Sequence, residues 1–475
     1  MNAYPETRML IGGEWRSDDV RPVYNPFDEA EIGARPHANT TDLADAVSAA
    51  EDGLRAWGNL GPEGREAIMV AAARLLRERS ADIARTISLE GGKPVAEATA
   101  ETLRAADIIE WDGHEGRRLY GRIIPGPIGI HNAVYRQPIG VVAAFTPWNF
   151  PISSPSRKVG GALGAGCSIV LKAAEDTPGG AFELVRAFVD AGLPAGVINL
   201  IYGDPPSISE YLIPQPEVRL VTFTGSVPVG KHLAALAGQH MKPVIMELGG
   251  HAPVFVSSTA DLQLAVEMSI IGKSMNAGQV CVSPTRFFVE DSVYDDFAEL
   301  LTKRAQDVRV GSGQDAATTM GPLINARRVE AVEKLVDDAV DTGARLLTGG
   351  HRLGGRGFGY PLTIMGEVPD HARAMQEEPF GPLALLTRVS GVDEAITRAN
   401  SVPYGLAGYG FTESARDIAA LTERLEVGVL AINHLVISVP EAPYGGIKDS
   451  GYGREGGTEG LGCYTVSKNV LTRLG

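Results

Sequence analysis

GVVAAFTP (140–147), PSRKVGGALGAG (155–166), SIVLKAAE (168–175), AFELVRAFVDAG (181–192), VINLIYG (197–203) and RLVTFTG (219–225) alternate short strand-like runs with helical ones. This β-α-β-α order predicts a parallel sheet with helices on both faces, and ligands of such sheets collect at the carboxyl ends of the strands. Those ends carry Asn149, Lys172 with Glu175, and Gly225 with Ser226.

Outward from this block the texture changes. Residues 41–58 place Leu43, Ala46, Val47, Ala50, Leu54 and Trp57 near one face at helical spacing, behind a capping Thr41. The run at 65–93 reads as one helix through to Gly91 and Gly92, so the chain up to about residue 118 is expected to be mostly helical. A second α/β stretch runs from near residue 260 to about 450, with helices in 291–308, 325–343 and 414–425. LYGRIIPGPIGIHNAVYRQ (119–137) interrupts the first domain with turn residues and β-formers, and the tail GCYTVSKNVLTRL suits another strand. Exposed strands invite pairing with another chain, so both segments are candidate subunit contacts. The expected division is 1–118 with 138–250 as a doubly wound parallel-sheet domain, 251–448 as a second α/β domain, and 119–137 with 449–475 as a small β arm.

Composition narrows the function. With 58 acidic against 43 basic side chains and a formal charge of −15, the chain lacks the basic excess that a phosphate-neutralising face needs, so nucleic acid is not an expected partner. No run of about eighteen apolar residues suits a membrane span, and MNAYPETRMLIGGEW has no basic start followed by an apolar stretch, so a cytoplasmic protein is expected. The three cysteines, Cys167, Cys281 and Cys463, form neither a disulfide framework nor a C-x-x-C metal site, and no metal is expected.

A free cysteine is ordinarily a small packing residue, which is the reading for Cys167 and Cys463. Cys281, in SMNAGQVCVSP (274–284), is set apart by its company. The one literal G-x-G-x-x-G, GYGREG at 451–456, is too near the end of the chain to open a βαβ unit and reads as a tight-turn loop. TPWNFP (146–151), KAAEDTP (172–178), FTGS (223–226) with Gly230, MELGG (246–250), GQVC (278–281), EEPFGP (377–382) and PYGGIKDSGYGREGG (443–457) are the informative set. Together, in order and over nearly the whole chain, they resemble the NAD(P)-dependent aldehyde dehydrogenase superfamily.

The resemblance implies roles for matching positions. Cys281 corresponds to the nucleophile whose thiolate adds to an aldehyde and gives a thiohemiacetal able to expel hydride. Asn149 matches the side-chain donor to the oxyanion, acting with the Cys281 backbone N–H. Glu247 matches the general base that activates water against the thioester, with a pKa that burial would raise; relatives that pass the acyl group to coenzyme A typically lack it. Trp148, Gly225, Ser226 and Gly230 match the cofactor's nicotinamide and pyrophosphate side, where a helix start suits phosphate. Lys172 and Glu175 match the adenosine-ribose contacts, and Glu378 with Phe380 those to the nicotinamide ribose. A carboxylate at Glu175 accepts from both ribose hydroxyls and repels a 2′-phosphate, which implies NAD over NADP.

Closest in motif style are the succinate-semialdehyde dehydrogenases. Arg157 and Ser438 match two of their carboxylate-binding groups, but the arginine six residues before the nucleophile is Met275 here, and the cysteine two residues after it is Ser283. The implied pocket is less charged and more apolar, for a semialdehyde or for a broader aliphatic or aromatic aldehyde. The implied assembly is a homodimer or homotetramer. A thiol hydrolase would need only Cys281 and Glu247 and leaves the cofactor motifs without purpose. A noncatalytic binding protein on the same fold would be expected to have lost catalytic positions that this chain keeps.

Overall fold

A computed structural model describes residues 4–473; residues 1–3 and 474–475, at the ends of the two outer segments, lie outside the description. Its first sheet runs Glu14–Arg16, Met9–Ile11, Ile198–Ile201, Ser168–Lys172, Val141–Phe145, Val218–Gly225, Val244–Leu248, Gly451–Tyr452 from edge to edge. The five middle strands are parallel. Their order reverses at Val141–Phe145: the next two in sequence lie on one side of it and the last two on the other. Such a switch point opens a crevice at the carboxyl ends, and here Trp148, Asn149, Gly225 and Ser226 follow or close the two strands beside it.

The second sheet, Arg345–Thr348, Thr363–Gly366, Leu383–Val389, Arg286–Glu290, Pro253–Val256, Ala407–Phe411, Val429–Ile432, is parallel except at its first pair. Each sheet carries its own apolar core. Cys281, Glu378 with Phe380, and Leu406 lie just before strands of this sheet, so the site pairs the carboxyl edge of one sheet with the amino edge of the other. The carboxyl-end expectation therefore accounts for half of it.

Several sequence expectations need correction. The first 36 residues hold four short strands before any helix. The first long helix, Thr40–Asn59, is capped by Asn39 in a reciprocal box with Asp42, not by Thr41. The run at 65–93 is two helices, Gly61–Glu78 and Ser80–Gly91, broken at Arg79. Among the described residues of the tail, only Thr465–Arg473 joins the arm, pairing with Ile130–Pro138, which pairs in turn with Arg122–Ile124. Gly451–Tyr452 instead edges the first sheet, and Tyr464 is buried in that sheet's core. Among the described residues no helix is long and apolar enough to cross a membrane.

Candidate active site

The turn before Cys281 explains why Gly-Gln precedes the cysteine. Helix Leu262–Ser274 ends and the chain turns through Asn276, Ala277 and Gly278, all left-handed at φ 47°, 54° and 69°. Left-handed backbone at a non-glycine residue costs about 1–3 kcal/mol and persists only where the surroundings hold it. Buried Gln279 does so: its side-chain amide donates to the Asn276 carbonyl at 2.9 Å and its Oε1 accepts from the Ile324 N–H at 2.9 Å. Glu97 accepts from the Asn276 N–H at 2.8 Å, and a Cβ at Gly278 would fall 2.1 Å from the Gly381 carbonyl oxygen. The turn presents Cys281 half-buried, its Sγ 3.4 Å from the Tyr444 hydroxyl. Burial pushes the thiol up to about 12, against the lowering by Tyr444, which favours the protonated form.

Asn149 is tied to the same turn. Its Nδ2 donates to the Gln279 carbonyl at 3.0 Å, and its own carbonyl accepts from Lys93 Nζ at 2.7 Å and from Asn276 Nδ2 at 3.1 Å. A side-chain amide nitrogen has two hydrogens, so a second donor remains for a ligand oxygen.

Glu247 sits near the end of strand Val244–Leu248, and neither of its carboxylate oxygens has a hydrogen-bond partner among the described residues. Burial, followed by the neighbouring Glu455, raises its pKa well above the usual carboxylate range, while Lys158, Arg157 and Arg454 pull the other way. Glu455 is itself held by Lys158 at 2.6 Å in a buried pair.

Two cavities meet here. One, of about 240 Å³, is lined by Arg157, Met275, Tyr409, Leu435, Ile437 and Ser438 among others. The second, of about 410 Å³, is lined by Trp148, Asn149, Gly225, Ser226, Glu378 and Phe380. They share Phe150, Ser154, Thr224, Glu247, Leu248 and Cys281 as a common floor. The second cavity also shares Ile324 and Asn325 with a third, of about 410 Å³, that is lined by Glu175 and Arg35.

This cleft fits a dinucleotide. Helix Val227–Gln239 begins at its edge with no side-chain cap on its free N–H groups, as a phosphate requires. Glu378 accepts from the Gly250 N–H at 3.1 Å, and a Cβ at Gly249 would fall 2.3 Å from its Oε2. Trp148 and Phe380 stand edge to face, 5.6 Å between ring centres.

Not every expected residue lines a cavity. Gly230 instead allows helix Val227–Gln239 to approach the strand that follows it, Val244–Leu248, since a Cβ there would fall 2.3 Å from Leu248 Cδ2. Lys172 is buried and ion-paired with Glu175, and only Glu175 of the two faces the third cavity. Arg157 and Ser438 are brought together, Nη2 donating to Oγ at 2.5 Å, and Met275 shares their cavity. Cys167 is buried with its Sγ 3.4 Å from the Tyr464 carbonyl oxygen, and burial raises it to about 11. Sequence reasoning missed Tyr444, Glu455 and Arg104. The first two lie inside the quoted PYGGIKDSGYGREGG, where Gly451 pairs with Glu247 across adjacent strands; no local signal marks Arg104.

The sequence model of the aldehyde dehydrogenase family matches residues 15–470. The 4-(hydroxymethyl)benzenesulfonate dehydrogenase of Comamonas testosteroni is 46% identical over 464 residues, 97% of each chain. Succinate-semialdehyde dehydrogenase [NADP(+)] of Escherichia coli is 42% identical over 475 residues, covering 98% of this chain and 97% of that one. The crystal structure of succinate-semialdehyde dehydrogenase from Burkholderia pseudomallei superposes with a TM-score of 0.96 at 39% identity, covering 99% of this chain and 98% of that one. A likeness that runs through both sheets and both sides of the cysteine leaves one assignment: the chain belongs to the aldehyde dehydrogenase family.

Proposed function

We propose that this protein oxidises an aldehyde irreversibly to the carboxylic acid, with NAD as the preferred cofactor and water as the acyl acceptor. What carries the proposal is the junction of the two cavities at Cys281 and Glu247. The Cys281 sulfur adds to the aldehyde carbon as its proton departs, and Asn149 Nδ2 with the Cys281 N–H stabilises the oxyanion of the thiohemiacetal. Trp148, Ser226, Glu378, Phe380 and Glu175 would hold NAD, which would supply the hydride acceptor. Glu247 then takes a proton from the water that attacks the thioester, and the acid leaves as the thiol is restored.

The preference for NAD rests on Glu175, although the E. coli relative is named for NADP(+). For the substrate, relatives are named for an aromatic sulfonate and for succinate semialdehyde, both anions. Arg157 with Ser438 offers a polar spot among the apolar walls of Phe150, Met275, Leu435 and Ile437, which suits aliphatic or aromatic aldehydes with or without an acidic group. Assembly as a homodimer or homotetramer would use the exposed arm strands.

The test is to incubate the purified protein with NAD and aliphatic, aromatic and carboxylated aldehydes. One NADH per acid formed is expected. Ester hydrolysis without NADH from any aldehyde would favour a thiol hydrolase instead.

A further inference from the structure

The substrate cavity is graded in exposure. At its floor Glu247, Leu248 and Leu406 are 5% exposed or less, whereas Ile271 is 51% and Val436 64% exposed. These last two therefore mark the mouth, and Arg104, also exposed, lines the same cavity. Between floor and mouth the walls are apolar, supplied by Phe150, Met275, Leu435 and Ile437.

Arg104 is held in place by its helix. On Val95–Glu115, positions 97, 101 and 104 fall on one stripe, one turn apart. Glu97 accepts from the Asn276 N–H in the nucleophile turn, and Glu101 accepts from Ile152 and Ser153 at the start of the next helix, each at 3.2 Å. The third position of the stripe is thereby fixed beside the cavity. No ion pair or hydrogen bond to the Arg104 guanidinium exists among the described residues.

The deeper arginine differs. Arg157 is buried, bonded to Ser438, stacked over the Tyr444 ring at 5.2 Å, and electrostatically engaged with Asp112 and Glu247. Its guanidinium is thus already bonded and stacked within the protein. Position 275, where a second cation would stand within the cavity, is methionine.

We propose that Arg104 is the specificity residue that receives the substrate's anion at the cavity mouth, and that the substrate class is an aromatic aldehyde with a sulfonate or carboxylate opposite its formyl group. This rests on the aldehyde-oxidising role above and names its substrate. With the formyl carbon at Cys281, the ring occupies the apolar stretch and the anion emerges beside Ile271 and Val436, within reach of the free guanidinium. A short aliphatic semialdehyde would end its carboxylate inside the apolar stretch, with only Arg157 and Ser438 to meet it.

The experiment compares kcat/KM for 4-formylbenzenesulfonate, 4-formylbenzoate, benzaldehyde and succinate semialdehyde in the parent, Arg104→Gln and Arg104→Lys enzymes. The parent is expected to favour the two para-anionic aldehydes over benzaldehyde. Arg104→Gln should lower the anionic-to-neutral ratio by about threefold to tenfold, chiefly through KM, because an exposed charge contact is partly screened by solvent. Arg104→Lys should restore most of the ratio, and added salt should shrink the parent's preference. Loss with the sulfonate but not the carboxylate, or the reverse, tells which anion the mouth accepts. NADH from benzaldehyde with an unchanged ratio in Arg104→Gln overturns the role of Arg104 alone. No NADH from any of the four overturns the aldehyde-oxidising role and this inference with it.

Discussion

The two cavities that meet at Cys281 are built from different materials. The cofactor side is mostly chain turns and helix starts at the carboxyl edge of the first sheet, including Gly225 and Ser226. The substrate side is a set of side chains from separate elements: Arg104 and Arg157 on two helices, Met275 after a third, and Leu435, Ile437 and Ser438 on a loop. A dinucleotide is gripped largely through backbone N–H groups and helix dipoles, which depend on local conformation. A small aldehyde is selected by the shape and charge of side chains that the fold gathers. The first kind of site is stable in design, and the second is free to change without disturbing it.

The sharpest break between the two is at their junction. Cys281→Ala should abolish NADH production, by about 10⁴-fold or more, while NAD still binds with near-parent affinity by calorimetry. Substantial residual turnover would separate the chemistry from the thiol. Lost NAD binding would instead mean that the cavities do not act independently.

Glu247→Gln should leave acylation and slow hydrolysis by about 10²–10⁴-fold, giving a burst of up to one NADH per site in stopped flow. Absence of both a burst and a trapped acyl-enzyme, where acylation remains fast, would show that Glu247 is not chiefly the deacylation base. Its pH signature follows from its surroundings. The base acts when ionised, and burial and Glu455 hold it protonated to unusually high pH. Acyl-enzyme hydrolysis should therefore rise with pH as Glu247 ionises. Glu455→Gln removes an anion and frees the Lys158 charge, so the rising limb should move to lower pH. A limb that moves upward or stays put refutes this coupling.

Confined to the cofactor side, Glu175→Ser should narrow the preference for NAD over NADP by about tenfold in kcat/KM. It removes the repelling carboxylate and leaves Arg35, which lines the same cavity with its Nε 3.0 Å from the Glu175 carbonyl oxygen, to face a 2′-phosphate. Equal use of both cofactors by the parent enzyme would refute the role assigned to Glu175.

The smallest effect is expected on the substrate side. Met275→Arg should shift kcat/KM by a few-fold toward succinate semialdehyde over an uncharged aldehyde of similar length, by restoring a cation deep in the apolar stretch. An unchanged ratio in a folded, active variant would mean that residue 275 does not face the substrate.

The same contrast governs what was readable in advance. Gly278, Gln279 and Cys281 were singled out because GQVC belongs to a set of motifs spaced along nearly the whole chain, and Asn149 because TPWNFP belongs to the same set. Tyr444 and Glu455 stood inside a quoted motif without a role, because what they do depends on Cys281 and Glu247, far away in the chain. Gly230 was assigned to the cofactor, yet it lets a helix pack against Leu248, a contact that no local pattern reveals. The strands in residues 9–36 were overlooked because three- to six-residue runs carry too little periodicity to stand out beside four long helices.

By itself, then, the sequence determined the β-α alternation, which is set by local patterning, and the family, which is carried by motifs that run in order along nearly the whole chain. Only the tertiary structure decided that the carboxyl edge of one sheet faces the amino edge of the other, that Glu247 is buried without a partner beside Glu455, and that Arg104 stands uncommitted at the cavity mouth. Burial, electrostatic coupling and the direction of a free charge are properties of neighbours in space, and those neighbours here come from positions as far apart as 104, 247 and 455.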